Sequence, residues 1–143
     1  MYKLRIIFAV MFVLACAVCA GSQQKEGSVA DMRLMIDDIS VSVEWENNDS
    51  VKALSKMLPL SVKMSMYGGF EQVGSLGRSL PRNDKRITTK AGDIVLYSGN
   101  QIVIFYGSNT WAYTKLGRIT GKTQAELAEL LGKSDVVVKI SVD

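Results

Sequence analysis

The feature that most constrains the fold is the apolar stretch at residues 91–118, AGDIVLYSGNQIVIFYGSNTWAYTKLGR. It predicts two β-strands joined by a turn at residues 98–100, because β-branched and aromatic residues crowd both sides of a Ser-Gly-Asn turn signal. A third extended segment, residues 111–116, follows a second turn. A meander of this kind buries one face and needs other strands to close over it, so the remaining chain should complete a sheet or barrel.

Alternating patterns elsewhere in the chain supply those strands. Residues 60–66 and 135–142 alternate apolar with mostly polar side chains, which predicts strands whose even-numbered side chains, Met66 included, are buried. A hairpin around Asp37 and Asp38 provides two more strands.

Two short helices are predicted from their capping residues. Asn48 or Asp49 can cap a helix over residues 50–57, which carries an apolar stripe. The second helix begins with a capping box, in which Thr123 and Glu126 satisfy each other's backbone N–H groups.

Composition excludes several classes of function. The chain contains no histidine, so the commonest general base, metal ligand and pH switch is absent. The only two cysteines are Cys16 and Cys19, which leaves the rest of the chain without thiols and excludes a thiol protease or a zinc ribbon. Two of the 17 Lys and Arg residues precede residue 21, so 15 remain against 14 acidic residues and nothing indicates nucleic-acid binding.

The N-terminus has the form of a secretory signal. Residues 1–20 contain two basic residues, an apolar run and then small residues. The sequence Val-Leu-Ala before Cys16 resembles a lipobox, whereas small residues around Cys19 suit an ordinary signal peptidase; we favour a lipoprotein signal, since a cysteine directly after Leu-Ala is otherwise unexplained. Residues 21–31 predict a flexible tether and residues 32–143 the folded domain. We therefore expect an exported protein anchored in the cell envelope through a lipid on Cys16, or else a periplasmic or secreted one.

Five short pieces of residues 32–143 are distinctive: Leu58-Pro59-Leu60, Ser79-Leu80-Pro81, Gly92-Asp93, Phe105-Tyr106 and Tyr113-Thr114-Lys115-Leu116-Gly117. In this order and spacing they resemble the prokaryotic cyclophilin-like domain family. The resemblance implies a mainly β fold, a closed cyclophilin-like β-barrel of about eight strands with two short helices. It brings no established catalytic set, and we expect neither a cofactor nor a metal, because the chain has no phosphate-binding loop and no cluster of metal ligands.

Candidate binding residues lie in the irregular segment 67–90 and among the aromatic residues. The segment holds four glycines and one proline, with short strands expected near residues 70–73 and 86–89, and long excursions of this kind are often functional. Arginine suits contact with carboxylate, phosphate or an amide, and aromatic rings suit apolar or proline-like groups. The alternatives are that the rings fill the barrel and that the basic segment is a solvated surface. The candidates are Tyr67, Phe70, Arg78, Arg82, Arg86, Tyr106, Trp111 and Tyr113.

Three classes of function agree with these observations. A small-molecule or peptide-binding module at the cell envelope needs only an aromatic groove and the basic segment. A peptidyl-prolyl isomerase is what the resemblance to cyclophilins suggests, and an assembly protein needs no site. Because a fold does not transfer an activity, we rank binding first.

Overall fold

The computed structural model describes residues 28–143, and in it the strands follow the apolar periodicity of the sequence. The strands are β1 Met32–Ile36, β2 Ile39–Trp45, β3 Leu60–Tyr67, β4 Glu71–Ser75, β5 Lys85–Thr88, β6 Asp93–Tyr97, β7 Gln101–Phe105, β8 Thr110–Thr120 and β9 Asp135–Val142. The helices are α1 Asp49–Ser55 and α2 Gln124–Leu131. Neither is long and apolar enough to cross a membrane.

Residues 1–27 lie outside the described part of the chain. They include the predicted signal, Cys16 and most of the predicted tether. The last residues of that tether form one 3₁₀ turn, Val29–Asp31, in which the Ser28 side chain accepts the backbone N–H of Ala30.

Eight strands close into an antiparallel barrel. Their order is β2-β1-β9-β3-β4-β7-β6-β8, and pairing of β2 with β8 joins the two ends. β5 pairs with the first four residues of β8, which extend past the end of β6. The predicted mainly β fold, a closed eight-stranded barrel with two short helices, is therefore confirmed.

The barrel interior is filled by the faces that the alternating patterns predict. Val62 and Met64 of β3, and Val136, Val138 and Ile140 of β9, are all buried. The two strands pair over residues 60–65 and 135–140, so the side chains of one buried face meet across the ladder. This apolar face excludes water from the barrel.

The prediction that Met66 is buried is wrong. Its side chain is 42% exposed. The pairing of β3 with β9 ends at Ser65, and beyond it Met66 and Tyr67 pair only with β4 among the described strands.

Both helices begin where their caps predict. The Asn48 side chain accepts the backbone N–H of Val51 at 2.9 Å and starts α1. The capping box of α2 is present in full, with Thr123 and Glu126 bonded in both directions. Each helix then packs apolar side chains on the barrel core, which ties the loops to the barrel.

The central meander is buried on both faces, not on one as the sequence predicts. Ile102 and Ile104 of β7 belong to the interior core, whereas the alternate residues Val103 and Phe105 belong to a second apolar cluster. Successive side chains on a strand point to opposite faces, so this second cluster lies on the outside of the barrel. Phe70 and other partly buried side chains from β4, β5 and β6 cover it.

Candidate functional site

A tight hairpin places two aromatic rings over the outer cluster. Three residues, 68–70, connect β3 to β4, and Gly68 and Gly69 have φ of 63° and 75°, values that this tight turn requires and that other residues rarely adopt. The turn sets Phe70 parallel to Phe105, with ring centroids 6.5 Å apart, and at right angles to Tyr67. The backbone carbonyl of Phe70 accepts the N–H groups of residues 106 and 107, which fixes the hairpin on β7.

The ribbon formed by β5 and β8 provides the opposite wall. Thr89 is fully buried and exchanges hydrogen bonds with the backbone of Asn109. Asn109 in turn donates its side-chain amide to the Tyr113 hydroxyl at 2.8 Å. The Tyr113 ring packs edge-on against Phe105 and Tyr97, at 5.6 and 6.1 Å between centroids. These contacts hold the ring in one position.

An open cleft of about 540 Å³ lies between the hairpin and the ribbon, and we call it the aromatic cleft. Aromatic side chains form much of its wall, and Met66, Val73 and Val103 add apolar surface. Its polar lining consists of Ser65, Glu71, Gln101 and Asn109. Its aromatic lining consists of Tyr67, Tyr97, Trp111 and Tyr113. A volume in this range accommodates a small ligand or one large peptide side chain.

Among residues 28–143, Glu71 provides the one carboxyl group in the lining of the aromatic cleft. It is the first residue of β4, paired with Tyr67 on one side and Phe105 on the other. Its side chain is only 6% exposed, and its Oε2 atom has no hydrogen-bond partner among residues 28–143. No lysine or arginine of these residues lines the cleft. The carboxyl is therefore removed from water without a compensating partner, which is costly when it is charged.

The pKa values respond to this burial. Desolvation raises the pKa of Glu71 from 4.5 to about 7. Burial also raises the pKa of Tyr113; its hydrogen bond from Asn109 acts in the opposite direction, and the nearby Glu71 and Tyr97 raise it further. Glu71 thus changes its charge near neutral pH, inside a cleft that otherwise has a neutral lining.

A second cleft, of about 460 Å³, lies on the other side of Tyr113, and we call it the basic cleft. Its lining includes Lys52, Arg82, Lys85 and Lys115. Two of these are in ion pairs, Arg82 with Asp84 at 3.5 Å and Lys115 with Glu46 at 3.9 Å. All four side chains lie in polar, partly solvated surroundings, whereas the carboxyl group of the aromatic cleft is buried.

The structure divides the predicted site residues between different places. Tyr67, Trp111 and Tyr113 line the aromatic cleft, and Phe70 packs beneath its rim. Arg82 lines the basic cleft, where Tyr113 forms a shared wall. The other candidates, Arg78, Arg86 and Tyr106, line neither of these two clefts; the two arginines are exposed, and Tyr106 packs partly against the interior core.

Several lining residues were not among the candidates from the sequence. They are Ser65, Met66, Glu71, Tyr97, Gln101 and Asn109, together with Val73 and Val103. The available signal for Glu71 was weak: it is an isolated acid at the start of a short strand, directly after the aromatic Tyr-Gly-Gly-Phe turn.

Comparisons with known proteins identify solved structures that have a similar fold. No curated protein matches the sequence. The protein McbB, solved in complex with tryptophan, has a similar structure, with a TM-score of 0.58, 13% identity and 78% of the present chain covered; the match spans only 44% of the McbB chain. The hypothetical protein AF2241 from Archaeoglobus fulgidus, solved in solution, gives a TM-score of 0.58 and 17% identity, with 78% of this chain and 93% of that chain covered.

The sequence itself matches a family model. The model describes the cyclophilin-like family and aligns with residues 34–141, which is nearly the whole barrel. The chain therefore belongs to the cyclophilin-like family.

Proposed function

We propose that the protein is a ligand-binding module whose site is the aromatic cleft, and that it takes a small aromatic molecule or an aromatic peptide side chain. One observation carries the proposal. Large apolar side chains that are exposed among residues 28–143 are Ile39, Met66, Tyr67 and Trp111, and three of these four line this single cleft. Exposed apolar surface concentrated around a concavity is typical of ligand-binding sites.

The related fold offers a choice of probe. McbB, which has a similar barrel, is known in complex with tryptophan. At 13% identity this likeness concerns the fold, so it supports only the use of indole compounds as test ligands. The aromatic lining of the cleft provides rings that stack on an indole.

A direct titration tests the proposal. The wild-type domain is titrated with 3-methylindole, a neutral probe, while the amide signals of residues around the cleft are followed by NMR. Trp111→Ala should weaken binding about tenfold, because it removes a large ring from the cleft wall. Ile39→Ala is the matched control, since Ile39 is also exposed but lies on β2 outside the cleft. Absence of binding, or an equal loss in both variants, would leave an assembly role as the better explanation.

Prolyl isomerisation is the alternative function, and the same protein distinguishes it. The cyclophilin resemblance suggests this activity, in which an arginine beside an apolar pocket assists rotation of the amide. The described arginines do not line the aromatic cleft, and this favours binding over catalysis. Accelerated isomerisation of a Xaa-Pro peptide by the wild-type protein, lost in Arg82→Ala, would favour the enzyme instead.

Export to the cell envelope is part of the same proposal. Its support is the composition of residues 1–20 and the position of Cys16 after the apolar run. The full-length protein should partition into detergent, and Cys16→Ser should abolish that behaviour. A mature N-terminus at Gly21 would contradict the lipid anchor and favour an ordinary secretory signal.

A further inference from the structure

We infer that Glu71 makes the aromatic cleft selective for ligands that carry an ammonium group, so that aromatic amines bind in preference to neutral or acidic aromatic compounds. This inference rests on the proposed function, and it adds the charge class of the ligand. It depends on the position of one carboxyl group and on what surrounds it.

The first argument is the unsatisfied carboxyl oxygen. Buried polar atoms in proteins are nearly always hydrogen-bonded, and each exception calls for an explanation. Glu71 lines the cleft, and its Oε2 atom lacks a partner in the described part of the chain. A ligand that donates N–H groups supplies the partner that the protein does not.

The second argument is the absence of a competing charge. The lining of the cleft contains neither lysine nor arginine among residues 28–143. The other titratable groups that face it are the hydroxyls of Tyr67 from β3, Tyr97 from β6 and Tyr113 from β8; β7 contributes the neutral Gln101 and Val103. A cationic ligand is therefore the charge that balances Glu71, and an anionic ligand is repelled.

The third argument is the aromatic wall. Tyr67, Tyr97 and Trp111 line the same cleft as the carboxyl. The faces of such rings attract cations, and the attraction is larger where water is excluded. A carboxylate and several aromatic rings around one cavity form a setting that suits an ammonium group joined to an apolar body.

The ionisation of Glu71 gives the selectivity a pH dependence. Its pKa of about 7 means that the carboxyl is mostly neutral below that pH and mostly charged above it. An alkyl ammonium group, with a pKa of about 10, stays charged throughout this range. Affinity for an amine should therefore rise between about pH 6 and pH 8, whereas affinity for a neutral ligand should not rise.

A series of three indoles tests the inference. Tryptamine, 3-methylindole and indole-3-propionate share the ring and carry a positive, neutral and negative group. At about pH 8 the wild-type protein should bind tryptamine about tenfold or more tightly than 3-methylindole, and indole-3-propionate most weakly. Tryptamine affinity should fall about fivefold or more at about pH 6.

Two variants with equal changes of charge identify the responsible group. Glu71→Gln keeps the size of the side chain and should abolish both the preference for tryptamine and its pH dependence, while 3-methylindole still binds. Glu44→Gln removes an exposed acid on β2 outside the cleft and should leave both unchanged. If the Glu71 variant does not fold, the wild-type ligand series and pH profile still decide.

The outcomes separate this inference from the proposed function. Equal affinity of the wild-type protein for tryptamine and 3-methylindole at about pH 8 would overturn the selectivity and leave the aromatic site intact. A preference for tryptamine that persists in Glu71→Gln would also overturn it. If none of the three indoles binds, both proposals fail.

Discussion

The two faces of β6 and β7 are both buried, yet they are buried in different ways. On the inner face, Ile94, Ile102 and Ile104 are fully buried within the large core of the barrel. On the outer face, Val103 and Phe105 belong to a small cluster that borders an open cleft of about 540 Å³. The inner face is packed closed by other strands, whereas the outer face is covered by partly buried side chains such as Phe70 and Tyr97 and lies beside the cleft. Burial of these strands on both faces therefore stabilises the barrel on one side and, on our proposal, borders a binding site on the other.

Two neighbouring polar residues of β4 repeat this difference. The Gln72 side chain points inward and donates its amide to the carbonyls of Leu131 and Lys133, both at 2.7 Å, although its own oxygen accepts no bond within residues 28–143. The Glu71 side chain points to the outer cleft and forms no hydrogen bond to other described residues through Oε2. The inner group ties β4 to the end of α2, whereas the outer group has an unpaired oxygen and lines the aromatic cleft.

The largest expected effect is on the inner face of the barrel. Val138→Asp should unfold the domain, because it places an unpaired charge at a side chain with 0% exposure; a loss above about 4 kcal/mol is expected. Val137→Asp, on the other face of β9, should cost much less, since that side chain is partly exposed. Chemical denaturation followed by circular dichroism measures both. Equal losses of the free energy of unfolding would mean that the two faces of β9 do not differ in burial.

A smaller effect is expected at the floor of the outer cluster. Phe105→Ala should lower the free energy of unfolding by about 3 kcal/mol, because the ring is fully buried between Phe70 and Tyr113. Water from the adjacent cleft can enter the space, so the cost should fall short of that of Val138→Asp. Urea denaturation measures it, and a cost below about 1 kcal/mol would show that the outer cluster contributes little to stability.

Glu71→Gln should stabilise the domain, and only at higher pH. The folded protein binds the Glu71 proton more tightly than the unfolded chain, so wild-type stability falls as the pH rises from 4.5 through about 7. The neutral variant avoids that loss and should be more stable by about 3 kcal/mol at about pH 8. Below the unfolded pKa both side chains are neutral and the difference should vanish. Thermal denaturation across this pH range checks the sign; a variant that is less stable at high pH would contradict it.

The smallest effects are expected for the arginines. Arg78→Ala, Arg82→Ala and Arg86→Ala should each change stability by less than about 0.5 kcal/mol, because all three side chains are exposed. Affinity for 3-methylindole should be unchanged in all of them. Only Arg82→Ala should alter the binding of an anion such as inorganic phosphate, since only this arginine lines the basic cleft. Loss of indole binding in any of the three variants would contradict the conclusion that the two clefts are separate sites.

Local sequence signals predicted much of the barrel. The buried faces of β3 and β9 follow from alternation, and the start of α2 follows from a capping box four residues long. Met66 departs from the pattern because its exposure depends on where β9 stops pairing. The end of that pairing is set by β9, so the sequence of β3 alone gives no indication of it.

The candidate site was less predictable, because distant segments build it. Phe70 and Arg82 are close in sequence, but β4 runs between them for about 17 Å and carries the basic residues away from the aromatic turn. Burial of Glu71 results from packing of β3, β7 and the ribbon around it. A single acid in a short strand gives no local indication of that environment.

The length of β8 has a consequence for the motions of the cleft. Residues 117–120 of β8 close the barrel against β2, whereas Thr110–Tyr113, which carry Trp111, pair only with β5 in the described chain. Separating that ribbon breaks a ladder of four residue pairs and leaves the barrel seam in place. Local openings of this kind occur far more often than global unfolding, so the amides of the ribbon should exchange with solvent before those of the seam. The wall of the cleft can thus open and reclose while the barrel stays folded.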